Sequence, residues 1–269
     1  MLVALRHKDI NKGGTANLIR PLVLPFFVGG NMEIFDSYTS NYDMELPAIK
    51  RKYYHSYRVQ NVACEIAESL DYNERDYNLV SICGLFHDIA RFEQYKRYHS
   101  FKDSETIDHG DFGYEILKDE FLDKLGLDDE ENNILLMSTK YHNKYAVDKG
   151  ITGKALEICN ITRDADRIDI LSLFFDPNIQ KSLTDENMNV TNKCHEEFIS
   201  HRQIMHKDIK TDGDRILLYL GFIWDFNFKK SYEIINRTGI YEKIKENIKL
   251  PSFDKYFQMI EEKIKEEIK

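Results

Sequence analysis

The sequence is poor in helix breakers and in the patterns that build sheets. Its 269 residues hold 5 prolines and 13 glycines, strict apolar–polar alternation is scarce, and Lys and Glu are abundant, which favours a mostly helical protein. It also lacks basic excess. With 37 Lys and Arg against 46 Asp and Glu, the net charge is −9, whereas general nucleic-acid binding needs a basic surface; a local basic pocket remains compatible. Cysteine is sparse, and Cys64, Cys83, Cys159 and Cys194 form no CxxC pair. A disulfide framework or zinc knuckle is therefore disfavoured, and free thiols in a reducing cytoplasm are expected. No apolar run is long enough for a membrane span. The Pro21–Val28 segment is far shorter than the roughly 20 residues needed, and Pro21 and Pro25 interrupt it. Basic residues precede that run, but no clean small-x-small site follows, so a signal peptide is only weakly indicated. No internal repeat or low-complexity linker is evident.

An apolar fraction of 42 %, with 16 Phe and 16 Tyr, suffices for a packed interior. Residues 1–31 stand apart: Asn11–Thr15 has loop composition, and Met32 opens a segment of ordinary composition. They read as a loosely ordered leader, or as sequence upstream of the natural start. Residues 32–176 read as a helical core, and 177–269 as a helical extension packed on it. His55, Val59, Val62, Ala63, Ile66, Ala67 and Leu70 share one stripe of a helix beginning near Pro47. Asn73 reads as the N-cap of a helix that ends at His87-Asp88. The segment Arg91–Thr106 has no readable period. Asp108 can cap a helix bearing His109, Ile134–His142 reads as another, and 154–175 as a long one with Leu156, Cys159, Asp166, Ile170 and Leu173 on one side. Asp176-Pro177-Asn178 is a stop signal. Beyond it, a break is expected at Lys210–Asp214, followed by an apolar, buried run over Ile216–Trp224 and a surface helix with Ile260, Ile264 and Ile268 on its inner side.

The chemistry centres on His87-Asp88-Ile89-Ala90, at the end of the apolar run Leu79–Phe86. An imidazole and a carboxylate delivered from a buried face must be paired or bound to a metal, because burying them alone is costly. His55, His109, His142 and Asp166 also fall on inward stripes. Such nitrogen and oxygen donors suit iron, manganese, nickel, cobalt or zinc. Six groups exceed one tetrahedral site, so two ions are plausible, with Asp88 able to bridge through its two oxygens. Asp164 and Asp169 rival Asp166, but Asp164 lies on another side of the helix and Asp169 suits local pairing. His99, His195, His201 and His206 read as solvated, with His201-Arg202 a further candidate to line the pocket. Phe92, Tyr95, Tyr98 and Phe101 suit core and lid packing better than an aromatic wall over a base.

The order His55…His87-Asp88…Asp166 resembles the H…HD…D signature of the HD-domain superfamily of metal-dependent phosphohydrolases. Gly84-Leu85-Phe86-His87-Asp88-Ile89-Ala90-Arg91 is close to that family's L-x-HDIG-[KR] stretch, and Ala165-Asp166-Arg167-Ile168-Asp169 to its closing A-D-[KR]-[LI]-D. The resemblance covers about residues 50–175. It implies an all-α HD-type bundle in which His55, His87, Asp88 and Asp166 hold one divalent ion, and Asp88, His109 and His142 a second. It further implies hydrolysis of a phosphate mono- or diester of a nucleotide or small phosphorylated metabolite by a metal-activated hydroxide. Arg91 is the favoured phosphate contact, since a guanidinium grips two phosphate oxygens; Arg58, Lys96, Arg97, Lys102, Lys140, Lys144 and Arg163 are weaker candidates. There are departures: Ala90 stands where HDIG has Gly, no GYP motif follows, and the Glu-Asp pair of the (p)ppGpp-hydrolysing subgroup is not evident. The same six ligands also permit a di-iron oxygenase, and a non-catalytic nucleotide-sensing module is the third reading.

Overall fold

The computed structural model describes residues 28–175 and 188–269 and is all-α, with no strand among the described residues. The core carries α1 (Val28–Thr39), α2 (Pro47–Ala67), α3 (Glu74–Phe86), α4 (Ala90–Tyr98), α5 (His109–Glu120), α6 (Asp129–Tyr141) and α7 (Gly153–Leu171). Then come α8 (Asn192–Ile199), α9 (Asp212–Leu220), α10 (Lys229–Thr238), α11 (Ile240–Ile248) and α12 (Asp254–Glu267). The chain divides into two compact units, and the division falls after Asp166, inside α7. The leader expected over 1–31 lies outside the described residues as far as residue 27, and Val28–Asn31 open α1. The boundary expected at 176, and the stop signal Asp176-Pro177-Asn178, also lie outside them.

In the first unit the helix starts follow local capping chemistry. Asn73 accepts from the Asp76 amide at the start of α3. Asp108 accepts from the Gly110 and Asp111 amides at the start of α5. Asp128 and Glu131 close a reciprocal capping box on α6, satisfying amides that would otherwise be orphaned. Packing was less legible. Val80, Cys83 and Gly84 do point inward, but so does everything from Leu79 to Ala90, because α3 and the turn after it are covered on all sides. Likewise α7 is buried all round over Ile161–Asp169 rather than along one stripe. Thr162 Oγ1 of this helix accepts from Ser138 Oγ of α6 at 2.8 Å.

Two glycines set how closely the site-bearing helices approach. A Cβ at Gly84 would stand 2.9 Å from Gln60 Cα of α2. One at Gly110 would stand 2.6 Å from the Lys140 carbonyl oxygen of α6. An aromatic cluster in the core of the unit surrounds Phe35 of α1, whose ring meets Tyr57, Phe86 and Phe92 edge-on at 5.7, 5.5 and 5.9 Å. Phe92 is thereby a core residue. The unreadable segment after Arg91 resolves into α4 and a loop with a short 3-10 turn at Asp103–Glu105.

The second unit is built around buried Phe198, Leu217, Leu220, Ile235, Ile244 and Ile260. The break at Lys210–Asp214 is the N-cap of α9, where Thr211 accepts from the Asp214 amide. The buried Asp214 carboxylate accepts in turn from the Thr191 and Lys210 amides, at 2.7 and 3.1 Å. His201 lies flat on Trp224, centroids 3.8 Å apart, and Arg202 pairs with Glu197. Ile260 and Ile264 line the inner face of α12 as expected.

Replacing Gly84 with Val drives its side chain into the α2 backbone. Stability should fall by roughly 1–3 kcal/mol, read as a lower urea midpoint; an unchanged midpoint would contradict the close approach.

Candidate metal centre

Five elements of the first unit bring the six expected ligands together. His55 sits within α2, His87 is the C-cap of α3, and Asp88 occupies the turn before α4. His109 is the first residue of α5, His142 is the C-cap of α6, and Asp166 lies in α7. All six are buried.

They form two clusters that share Asp88. Around Asp88 Oδ2, His55 Nε2 stands at 3.4 Å and His87 Nε2 at 3.7 Å. Asp166 Oδ1 lies 3.1 Å from His55 Nε2 and 3.6 Å from His87 Nε2, and the two imidazole nitrogens are 3.2 Å apart. Around Asp88 Oδ1, His109 Nε2 stands at 3.4 Å and His142 Nε2 at 3.5 Å, with 3.0 Å between the two nitrogens. Donors in a tetrahedron about an ion at ~2.1 Å are separated by about 3.4 Å, so both clusters have the spacing a first-row divalent ion requires.

The hydrogen-bond pattern fixes the protons. His87 Nδ1 donates to the Gly84 carbonyl at 2.8 Å, and His142 Nδ1 to the Thr139 carbonyl at 2.7 Å. Both residues end a helix and turn back onto a carbonyl three residues earlier, one of the acceptors a helix end leaves without a partner. His109 Nδ1 donates to the Asp103 carboxylate. A carbonyl or carboxylate can only accept, so these three rings carry their proton on Nδ1 and turn the Nε2 lone pair inward when neutral. Burial lowers the basicity of His87. Burial, followed by the nearby Arg91 charge, pushes His109 down to about 4, so both are neutral at pH 7. The Nε2 atoms of His109 and His142 converge on Asp88 Oδ1, a buried oxygen with no hydrogen-bond partner among the described residues. Two imidazole nitrogens and a carboxylate oxygen so placed suit a cation.

Burial alone would raise the two ligand carboxyls. The Lys52 ammonium and the surrounding imidazoles instead hold Asp88 well below the usual carboxylate range, and His55 and His87 do the same for Asp166. Asp166 is the carboxylate within reach of His55 and His87; Asp164 and Asp169 are buried elsewhere on α7.

Arg91 is at the site, beside Asp88. Its Nη1 donates to the Phe101 carbonyl, Gln94 Oε1 and Asp103 Oδ1, at 2.7, 2.8 and 2.9 Å, and its Nε faces Asp88 Oδ1 at 3.4 Å. Nη1 thus braces the Asp103 loop, while Nε has no hydrogen-bond partner among the described residues. Arg163 donates to the Tyr141 and Lys144 carbonyls, both at 2.7 Å, and so fixes the turn that carries His142. Lys96 and Arg97 pair with Glu93, Lys102 with Glu105, and Lys144 with Asp108 and Asp111. Lys140 lies over the Tyr114 ring.

Three contributors escaped sequence reading. Lys52 puts its Nζ 2.6 Å from Asp88 Oδ2, and its place one helical turn before His55 was a usable signal. Asp103 and Gln94 lie in the aperiodic stretch and gave none. Gln94 is fully buried and donates to Asp103, Thr106 and the Ile107 carbonyl, shaping the loop that delivers Asp103 to His109.

The family comparison agrees with this geometry: residues 53–173 match the HD domain. This segment of the chain is an HD domain. Searches of curated proteins and of solved structures returned no match. The HD domain spans all six candidate ligands, and the HD pair itself is the point where the two clusters meet. Among the described residues no helix is long and apolar enough to cross a membrane, and all four cysteines are buried thiols.

Two outcomes follow. Asp103→Asn removes the charge that polarises His109 and should weaken only the cluster of His109 and His142, by ~10–100-fold. Calorimetric titration with manganese would show a strong and a weak site where the parent has two strong ones, and two unchanged sites would contradict this. Protons compete with an ion for Nε2, and the lowered basicity of His87 and His109 moves that competition to lower pH. Metal content should therefore hold as pH falls through the ordinary imidazole value of about 6.5, whereas release with a midpoint there would contradict the assignment of His87 and His109 as neutral.

Proposed function

We propose that this chain is a metal-dependent phosphohydrolase that cleaves a phosphate mono- or diester of a nucleotide or small phosphorylated metabolite. The observation that carries the reading is the Asp88 carboxylate, whose two oxygens each face a separate cluster of buried imidazole nitrogens. His55, His87, Asp88 and Asp166 would hold one divalent ion, and Asp88, His109 and His142 a second. Manganese, iron, cobalt, nickel and zinc all accept this donor set. A bound ion supplies hydroxide near neutral pH by acidifying its water, and neutralises charge on phosphoryl oxygens.

The protein's own groups do the rest. Asp88 fixes the separation of the two clusters through one rigid carboxylate. The Nδ1–H bonds of His87, His109 and His142 lock each ring so that Nε2 cannot turn away. Two dications outweigh the ligand carboxylates Asp88 and Asp166, so a loaded site is net positive and favours an anionic ester over a neutral substrate. Arg91 acts at one remove, holding Asp103 against His109. No serine or cysteine nucleophile is required.

Elemental analysis of the purified protein, followed by a phosphoester panel with the metal found, tests this reading. His87→Ala and Asp88→Ala should each lose metal and at least about a hundredfold in activity together, with the far-ultraviolet helical signal kept. An active, metal-replete Asp88→Ala protein would overturn the assignment. Two irons with a mixed-valence signal and no hydrolysis would redirect it to oxygen chemistry, and a metal-loaded protein that turns over nothing would leave a sensing role.

A further inference from the structure

Resting on that reading, we propose that Lys52 is the phosphate-binding cation of the site, its ammonium set beside the first ligand cluster where the phosphoryl group of a substrate would meet it. Its Nζ lies 2.6 Å from Asp88 Oδ2, the oxygen shared with His55 and His87. Lys52 thus occupies the flank of the first cluster as an internal counter-cation. A divalent ion among His55, His87, Asp88 and Asp166 draws on the same oxygen and repels the ammonium.

The side chain is partly exposed, at 18 %, while the carboxylate it touches is 2 % exposed. The face of Phe101 lies 5.8 Å from Nζ and adds a cation–π contact beside the ligands. A compact ammonium on a long stem can turn toward an incoming anion, whereas Nη1 of Arg91 is held by three acceptors. The basic residues nearby in sequence, Lys96, Arg97, Lys102 and Lys144, are paired with acids that are not ligands. Lys52 differs because its partner is the carboxylate that metal would claim. Burying a cation next to a dication is costly unless an anion joins them, so the arriving phosphoryl group completes the charge balance.

The test compares Lys52→Met and Lys52→Arg with the parent in two titrations, manganese into metal-free protein and inorganic phosphate into manganese-loaded protein. Lys52→Met should bind manganese at least about tenfold more tightly, since a competing like charge is gone, and phosphate at least about tenfold more weakly. Lys52→Arg should keep phosphate binding within a few-fold. A residue that only supported the fold would weaken both ligands together when removed. Manganese affinity in Lys52→Met equal to or below that of the parent, or undiminished phosphate affinity, overturns the assignment of Lys52 alone. A parent protein that takes up no manganese overturns the metal-centre reading as well, so the two failures are distinguishable.

Discussion

One buried carboxylate organises this HD domain. Asp88 lies in the short turn between α3 and α4, 2 % exposed, and an isolated ionised carboxylate cannot be kept there without compensation. The fold compensates on both sides, with Lys52, His55 and His87 at Oδ2 and His109 and His142 at Oδ1. These partners come from four helices, α2, α3, α5 and α6, so the helices must be packed before they surround the carboxylate. Gly84 and Gly110 permit that packing at distances a side chain would forbid. Fold and site are thus a single constraint seen from two directions.

The compensation is incomplete by design of the donors. Three rings spend their N–H on backbone or carboxylate acceptors and leave only lone pairs pointing inward. Asp88 Oδ1 has no hydrogen-bond partner among the described residues. An apolar replacement would pack such a space more cheaply, and proteins keep a cluster of convergent acceptors where a cation is to be held. Binding an ion then adds to stability as well as to chemistry, because the unfolded chain has no equivalent site.

Much of this was legible in the sequence, for identifiable reasons. The candidate ligands were readable as inward residues because helical spacing placed His55 and the HD pair inward, and because caps such as Asn73 and Asp108 announce where helices begin. The order of the motifs supplied the rest. What could not be read was depth and partnership. Periodicity identifies one inward side, and it cannot say that α3 and the centre of α7 are covered on every side. Arg91 was readable as a basic residue beside the HD pair, but the three acceptors of its Nη1 come from residues 94, 101 and 103, in a stretch with no period to read. Lys52 was overlooked for the opposite reason: in a run of Lys50, Arg51 and Lys52 a charge looks like ordinary solvated surface, and only the coordinates single out the one that reaches Asp88.

The central claim is that Asp88 joins two cation sites through its separate oxygens. Anomalous diffraction from crystals grown with manganese tests it most directly. Two anomalous peaks should flank Asp88, one among His55, His87 and Asp166 and the other between His109 and His142, with each peak bound to a different carboxylate oxygen. Crystals with no peak at Asp88, or with both of its oxygens on a single ion remote from His109 and His142, would contradict it.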